Sequence, residues 1–519
     1  MAQTPSSRVK AAGTTVGKVY SPPAPRASTA TRTSTRSKVA KVSISMLQLA
    51  MLTVVAVASL RSLPTAATYG LGSIALYVIP AVLFLVPTAL VAAELATGWK
   101  GGIYVWVREA LGNRWGFAAV WLQWIQSVTL YPSLLSFAAA SLAFSLRQQG
   151  LAKNGLFTGI VILVIFWAST FVAMRGLHVM SRIANVGLVL GTIIPVIALV
   201  AFMIYWLVSG HQSAVPLKAT NIIPPFKGLS SIVLIIGTFI AFSGLEVNAV
   251  HVRSLEHPNK NYPKALIVAF ILILAIYIPG TLAIATIIPA GKLDLDGGAT
   301  QALTAYASGI GFSWLGIALS LALLFGAISS ALTWVAGPSR GLLALAQQGF
   351  LPAIFARTNK AEIQTPLLIG QGILVSLLTL LFVMLPSVSN AFWILQSMTV
   401  ILYLMMYILL FIAVIALRKK QPDVQRLKIP AIRLVAGVGI VASVAAILIG
   451  FVPPSQFPSS LSPLIYIGGI ALGVAVLAIP PQILLRYRRH VQPPDMTSAP
   501  DAANVTSPDA NNMAQTPTK

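Results

Sequence analysis

The chain has 519 residues, 57% of them hydrophobic and only 9% charged, with mean hydropathy +0.84. No soluble protein of this size could keep that much apolar surface from water, so the composition specifies a polytopic membrane protein. There is no Cys, which excludes disulfides, thiol catalysis and thiolate metal ligation, and the formal charge of +24 invites a nucleic-acid reading that the placement of the bases removes.

Residues 1–41 are basic, rich in Ser, Thr, Ala and Pro, and contain no acid. They are expected to be a disordered tail, with an organellar transit peptide as the alternative. A single membrane domain is expected over 42–489. Twelve apolar runs follow, each about the length of a bilayer-crossing helix: 43–66, 71–95, 116–146, 155–174, 183–208, 229–250, 265–289, 312–336, 366–385, 391–416, 433–452 and 462–485. They are continuous apolar runs rather than the alternating ten-residue strands of an outer-membrane barrel.

The first run contains Arg61 in Ser59-Leu-Arg-Ser-Leu-Pro64. Proline lacks a backbone donor and disfavours helix in the residue before it, so the run is expected to break near 60–64. The second run carries Glu94 near its end, just before Gly98-Trp-Lys-Gly-Gly102. The sixth carries Glu246 after Ser243 and Gly244, poor helix material in an apolar stretch. Glu94 and Glu246 are the two acids within the runs. A carboxylate at that depth needs a partner, a proton or a water-filled cavity, and a broken helix beside it is how secondary transporters build a site. The breaks fall in runs one and six, corresponding positions of a five-plus-five inverted repeat. Residues 490–519 are again polar and expected to be disordered.

The bases set an orientation. Of 35 Lys and Arg, the tails hold eight before Val42 and four from Arg486 onward. The loops on the same side as the tails hold 17, from Lys100 to Arg433, and the opposite loops hold five: Arg147, Lys153, Lys218, Lys227 and Lys292. That asymmetry puts both termini in the cytoplasm of an inner or plasma membrane. The basic surplus is thus a topology signal, and the partners expected are the lipid bilayer and a small substrate, not nucleic acid. Homo-oligomerisation is left open.

No catalytic constellation emerges. Gly337-Pro-Ser339-Arg-Gly341 matches the nucleophile-elbow pattern, but it follows an apolar helix where that motif needs a strand-to-helix turn. None of the five His forms a metal-ligand pair, and no phosphate-binding Gly-rich loop is present. Neither enzyme activity, nor a metal, nor a cofactor is expected.

Several segments in order resemble the amino acid–polyamine–organocation superfamily, and within it the glutamate:γ-aminobutyrate antiporters. They are Ala93-Glu94-Leu-Ala-Thr97, Gly101-Gly-Ile-Tyr-Val-Trp106, Leu111-Gly-Asn-Arg-Trp-Gly-Phe-Ala-Ala119, Gly244-Leu-Glu246, His251-Val252, Asn261-Tyr-Pro263, Trp334-Val-Ala-Gly-Pro-Ser-Arg-Gly341, Leu351-Pro352, Pro422-Asp423 and Ile429-Pro430. The resemblance covers roughly Val42 to Arg489. It implies an all-α LeuT-type fold of twelve helices, with helices one and six unwound at the substrate. The chain departs from those antiporters in having Leu60-Arg61 where they carry a Tyr-Glu pair and Ser330 where they carry an acid in helix eight. It also has no counterpart of their C-terminal plug after His490.

These readings converge on secondary amino-acid transport, as antiport. The alternatives are proton-coupled symport, with Glu246 loading the proton, and a membrane amino-acid receptor or scaffold that moves nothing. The substrate-binding candidates are Arg61, Thr65, Ala66 and Thr68 in run one, Phe242, Ser243 and Gly244 in run six, and Ser330 in run eight. Glu246 and Glu94 are the candidates for proton coupling or gating. Arg61 has two equal readings: receiver of a substrate carboxylate, or standing partner of Glu246.

Overall fold

The computed structural model describes residues 45–57, 59–176, 183, 186–187, 189–216, 218–246, 255–455 and 462–487. The two expected tails, and His251 and Val252, lie outside them. Among the described residues the protein is all-α. Ten of the described helices are long and apolar enough to cross a bilayer. Those used below are α3 (Gly70–Gly98), α5 (Asn113–Ser145), α6 (Gly155–Met174), α7 (Val189–Val208), α9 (Pro258–Ile287), α11 (Ser313–Gln347), α12 (Thr365–Met384), α13 (Val388–Lys420), α14 (Ile432–Gly450) and α15 (Pro463–Ala478). The two remaining runs, the first and sixth, are the ones that break. Run one is α1 (Met46–Val57) and α2 (Leu63–Ala67), and run six holds the short α8 (Ile236–Ala241).

Local chemistry explains the ends. Asn154, Ser387 and Ser462 accept from the backbone N–H groups of Phe157, Asn390 and Ile465, capping α6, α13 and α15. Prolines mark the irregular turns. Pro87 cannot donate to the carbonyl of residue 83, inside the π turn Ala81–Leu85 of α3, and Pro195 cannot donate to Gly191, inside the π turn Val189–Ile193 of α7. The second turn also lets backbones touch: a Cβ on Gly191 would lie 2.1 Å from the Cα of Gly326 in α11.

Helices α5 and α13 form the centre. They are buried along most of their length and pack against each other, while α7 and α15 are largely peripheral. Side chains facing outward, such as Val208, Val441 and Leu464, are apolar and more than two-thirds exposed, as a lipid-facing surface requires. The molecule is a multi-pass integral membrane protein.

At the base-poor end, the loop after α9 leads into α10 (Gly298–Gly309). That helix starts against the first broken run: a Cβ on Gly298 would lie 2.8 Å from Cβ of Pro64, and one on Gly297 3.0 Å from Cβ of Ala140 in α5. Asp296 is buried just before it, with Oδ2 lacking any hydrogen-bond partner. Burial, reinforced by the neighbouring Asp294 charge, pushes the Asp296 carboxyl up to about 7. Asp294, raised less, faces Lys153 at 3.8 Å.

Candidate functional site

The two breaks meet at one hydroxyl. Ser59 is extended (φ −144°, ψ 126°) and ends α1, and its backbone N–H donates to Tyr277 Oη of α9 at 3.2 Å. Tyr277 Oη in turn donates to the Ala241 carbonyl at the end of α8, also at 3.2 Å. Backbone groups freed by unwinding are costly in a lipid environment unless met inside the protein, and Tyr277 meets one from each break. The break therefore comes earlier than the sequence suggested. Leu60–Ala67 are already helical, and Pro64 sits in the first turn of α2, where its missing donor costs nothing.

In run six the break comes where expected. Phe242 closes α8, and Gly244 has φ 103°, the left-handed region that glycine adopts freely. The Gly244 N–H donates to Tyr407 Oη at 2.7 Å. Tyr407 then donates to Glu246 Oε2, while Tyr403 donates to Oε1 at 2.7 Å. Both tyrosines belong to α13. Glu246 is thus a buried carboxyl whose two oxygens are each held by a phenol. Phe242 packs against the rings of Tyr77 and Tyr277, which stack on each other, and the Ser243 hydroxyl donates to the Phe239 carbonyl at 2.8 Å.

Arg61 is buried beside the first break. Its Nη1 donates to Ser133 Oγ of α5 at 3.1 Å and to Gln396 Oε1 of α13 at 2.8 Å. It makes no ion pair with any described carboxylate, so the reading that pairs it with Glu246 is overturned. Both groups lean on α13, at different levels.

Thr65 is buried with its hydroxyl unpartnered, against Gly237 of α8, where an added Cβ would lie 3.1 Å from Thr65 Cγ2. Ala66 is buried beside it, and the Thr68 hydroxyl is occupied by the Thr65 carbonyl at 2.8 Å. Ser330 is half-buried on α11, and its hydroxyl bonds no other described residue.

Glu94 belongs to another constellation, at the base-rich end. Arg418 grips it with Nε at 2.6 Å and Nη2 at 2.8 Å, Arg426 Nε reaches it at 3.3 Å, and the Ile429 N–H donates to it at 3.2 Å. It is fully buried, and it ties the loop after α13 to the end of α3. Ser339 lies within α11, donating to the Val335 carbonyl, so the nucleophile-elbow context is absent.

Sequence reasoning did not single out Gln396, Ser133, Tyr277, Tyr403 or Tyr407 as site residues. One signal was available. Gln396, Tyr403 and Tyr407, spaced by seven and four residues, fall on one helical face of an otherwise apolar run.

Broken helices at a polar centre inside an apolar bundle define a secondary transporter rather than an enzyme. The comparisons with known proteins say which. Residues 44–476 match the family model described as amino acid permease, and the chain belongs to that family, within the amino acid–polyamine–organocation superfamily. An uncharacterized transporter of Legionella pneumophila is 35% identical over 428 residues, covering 80% of this chain and 92% of its own. A glutamate/gamma-aminobutyrate antiporter of Lactococcus lactis is 34% identical over 404 residues, 76% of this chain and 80% of its own. A polyamine transporter of Arabidopsis thaliana is 27% identical over 410 residues, 75% of each chain.

Proposed function

We propose that this amino-acid transporter is an antiporter of the inner or plasma membrane, with both termini cytoplasmic, that exchanges amino acids carrying a distal carboxylate, as glutamate and γ-aminobutyrate do. The observation that carries the reading is the free edge of Arg61. Its Nε and Nη2 donate to no described residue, and Nε is buried. That edge is the one with which a guanidinium takes a carboxylate in two parallel hydrogen bonds. Arg418 uses the same edge on Glu94 in this molecule.

A permanent cation with no counter-charge among the described residues, buried at a helix break, is a receiver for a substrate anion. Thr65, with its unpartnered hydroxyl, and the backbone around Ala66, Phe242, Ser243 and Gly244 would hold the amino group and the remaining carboxylate. The name of the Lactococcus relative supports the exchange of glutamate for γ-aminobutyrate. Those two molecules share the distal carboxylate, while glutamine carries an amide there. Alternating access would come from rocking one helix bundle against the other.

The test is counterflow in proteoliposomes loaded with one unlabelled amino acid at a time. Labelled glutamate and γ-aminobutyrate should enter against each other, and glutamine poorly. Entry without internal substrate, tracking an imposed pH gradient, would instead establish proton symport, the reading favoured by the buried carboxyl of Glu246. Binding without counterflow would make the protein a receptor. The orientation is tested separately: labelling of a cysteine at Ser7 or Ser507 from outside intact cells would overturn it.

A further inference from the structure

Gln396 does two things that point the same way. Its carbonyl oxygen accepts from Arg61 Nη1 at 2.8 Å, which fixes which end of the amide faces the arginine. Its Nε2 is then turned away from Arg61, buried, and without a hydrogen-bond partner. Ser133 completes the clamp on Nη1. Its own proton goes to the Leu130 carbonyl at 2.9 Å, so toward Arg61 it acts only as an acceptor. One terminal nitrogen of the guanidinium is thereby spent on two neutral acceptors.

What remains is a set of donors. Arg61 Nε and Gln396 Nε2 are both buried and both unmet. Natural proteins rarely leave buried donors unpaired, so each of these needs an acceptor, and the Nε/Nη2 edge of Arg61 faces away from the Nη1 that Gln396 holds. A neutral glutamine is what this place requires. A carboxylate there would neutralise Arg61, and an apolar residue would let the guanidinium swing.

We infer that Gln396 is a specificity-determining positioning residue, which through its carbonyl oxygen holds Arg61 Nη1 and so aims the opposite Nε/Nη2 edge at the substrate carboxylate. The inference rests on the reading of Arg61 given above. A neutral amide in the substrate brings donors of its own toward a site made of donors, so glutamine is rejected where glutamate is accepted.

The experiment compares counterflow of labelled glutamate and glutamine in proteoliposomes for wild type, Gln396→Glu, Gln396→Met and Arg61→Gln, each first shown to be monodisperse in detergent. Gln396→Glu supplies Arg61 with an internal partner, and the glutamate-to-glutamine rate ratio is expected to fall at least tenfold. Gln396→Met keeps the volume and removes both polar ends, and should raise the KM for glutamate several-fold with a smaller effect on glutamine. Should Arg61→Gln lower the ratio while both Gln396 variants keep the wild-type value, the inference fails and the reading of Arg61 stands. An unchanged ratio in Arg61→Gln overturns that reading, and the inference with it. Equal losses for glutamate and glutamine in both Gln396 variants reduce Gln396 to packing.

Discussion

Arg61 and Glu246, the ionisable groups beside the two helix breaks, are held apart on one helix. Arg61 touches α13 at Gln396, and Glu246 touches it at Tyr403 and Tyr407. At 1.5 Å per residue, those contacts lie about 10 and 16 Å apart along the axis. Each charge therefore has its own neutral partners, and the site presents a cationic and a carboxylic region instead of a cancelled pair.

The separation makes the two residues energetically independent. Arg61→Gln and Glu246→Gln should have effects on thermal stability in detergent that add to within about 0.5 kcal/mol, as distant sites do. Recovery of stability in the double mutant would show a direct pair. The measurement is a double-mutant cycle on unfolding midpoints.

Tyr407 should matter to structure as well as to transport. Its hydroxyl takes the Gly244 N–H and satisfies Glu246, so Tyr407→Phe strands a buried donor and a buried carboxyl oxygen together. A loss of about 1–3 kcal/mol is expected for the stranded groups. Tyr403→Phe affects the carboxyl alone and should cost less. Glu246→Gln keeps shape and hydrogen bonding but cannot ionise, and should change the pH–rate profile of transport. An unaltered profile would leave Glu246 a purely structural role.

Much of this architecture was written in the hydropathy of the chain. The twelve runs appear as ten long helices and two broken ones, because apolar length and bilayer thickness constrain each other directly. The break in run six was legible because Ser243 and Gly244 carry it in their own backbone preferences. The break in run one was misplaced, because Pro64 is a local signal while Ser59 is held extended by a partner 218 residues away. Gln396 was illegible for the same reason: its meaning comes from Arg61, 335 residues distant. Glu94 was seen, but its two arginines come from the last turn of α13 and the loop after it, and no spacing rule relates them.

Glu94 should prove a stability residue. Its carboxylate is fully buried between Arg418 and Arg426. Glu94→Gln leaves those guanidinium groups without a counter-charge, and breaking a buried pair from one side typically costs about 3–5 kcal/mol. The expected result is a lower unfolding midpoint with an unchanged glutamate-to-glutamine ratio in the surviving protein. A changed ratio at unchanged stability would place Glu94 in transport itself.

Asp296 gives the chain a pH-dependent stability with a definite sign. Its carboxyl is raised by burial, then by Asp294, from 3.8 to about 7. Lys153 faces Asp294, and the other neighbours of this turn, Pro64, Ala140 and Phe144, carry no charge. Below pH 3.8 the group is protonated in folded and unfolded chains alike and has no effect on stability. Between 3.8 and about 7 the unfolded chain loses this proton while the folded one keeps it, so stability falls as pH rises. Above that window the slope ends and the full cost remains, about 4 kcal/mol at roughly 1.4 kcal/mol per pKa unit. Asp296→Asn cannot ionise, so it should raise the unfolding midpoint at pH 8, match wild type at pH 4, and flatten the slope between. Parallel curves for the two proteins from pH 4 to 8 would show that Asp296 finds a partner or solvent when it ionises.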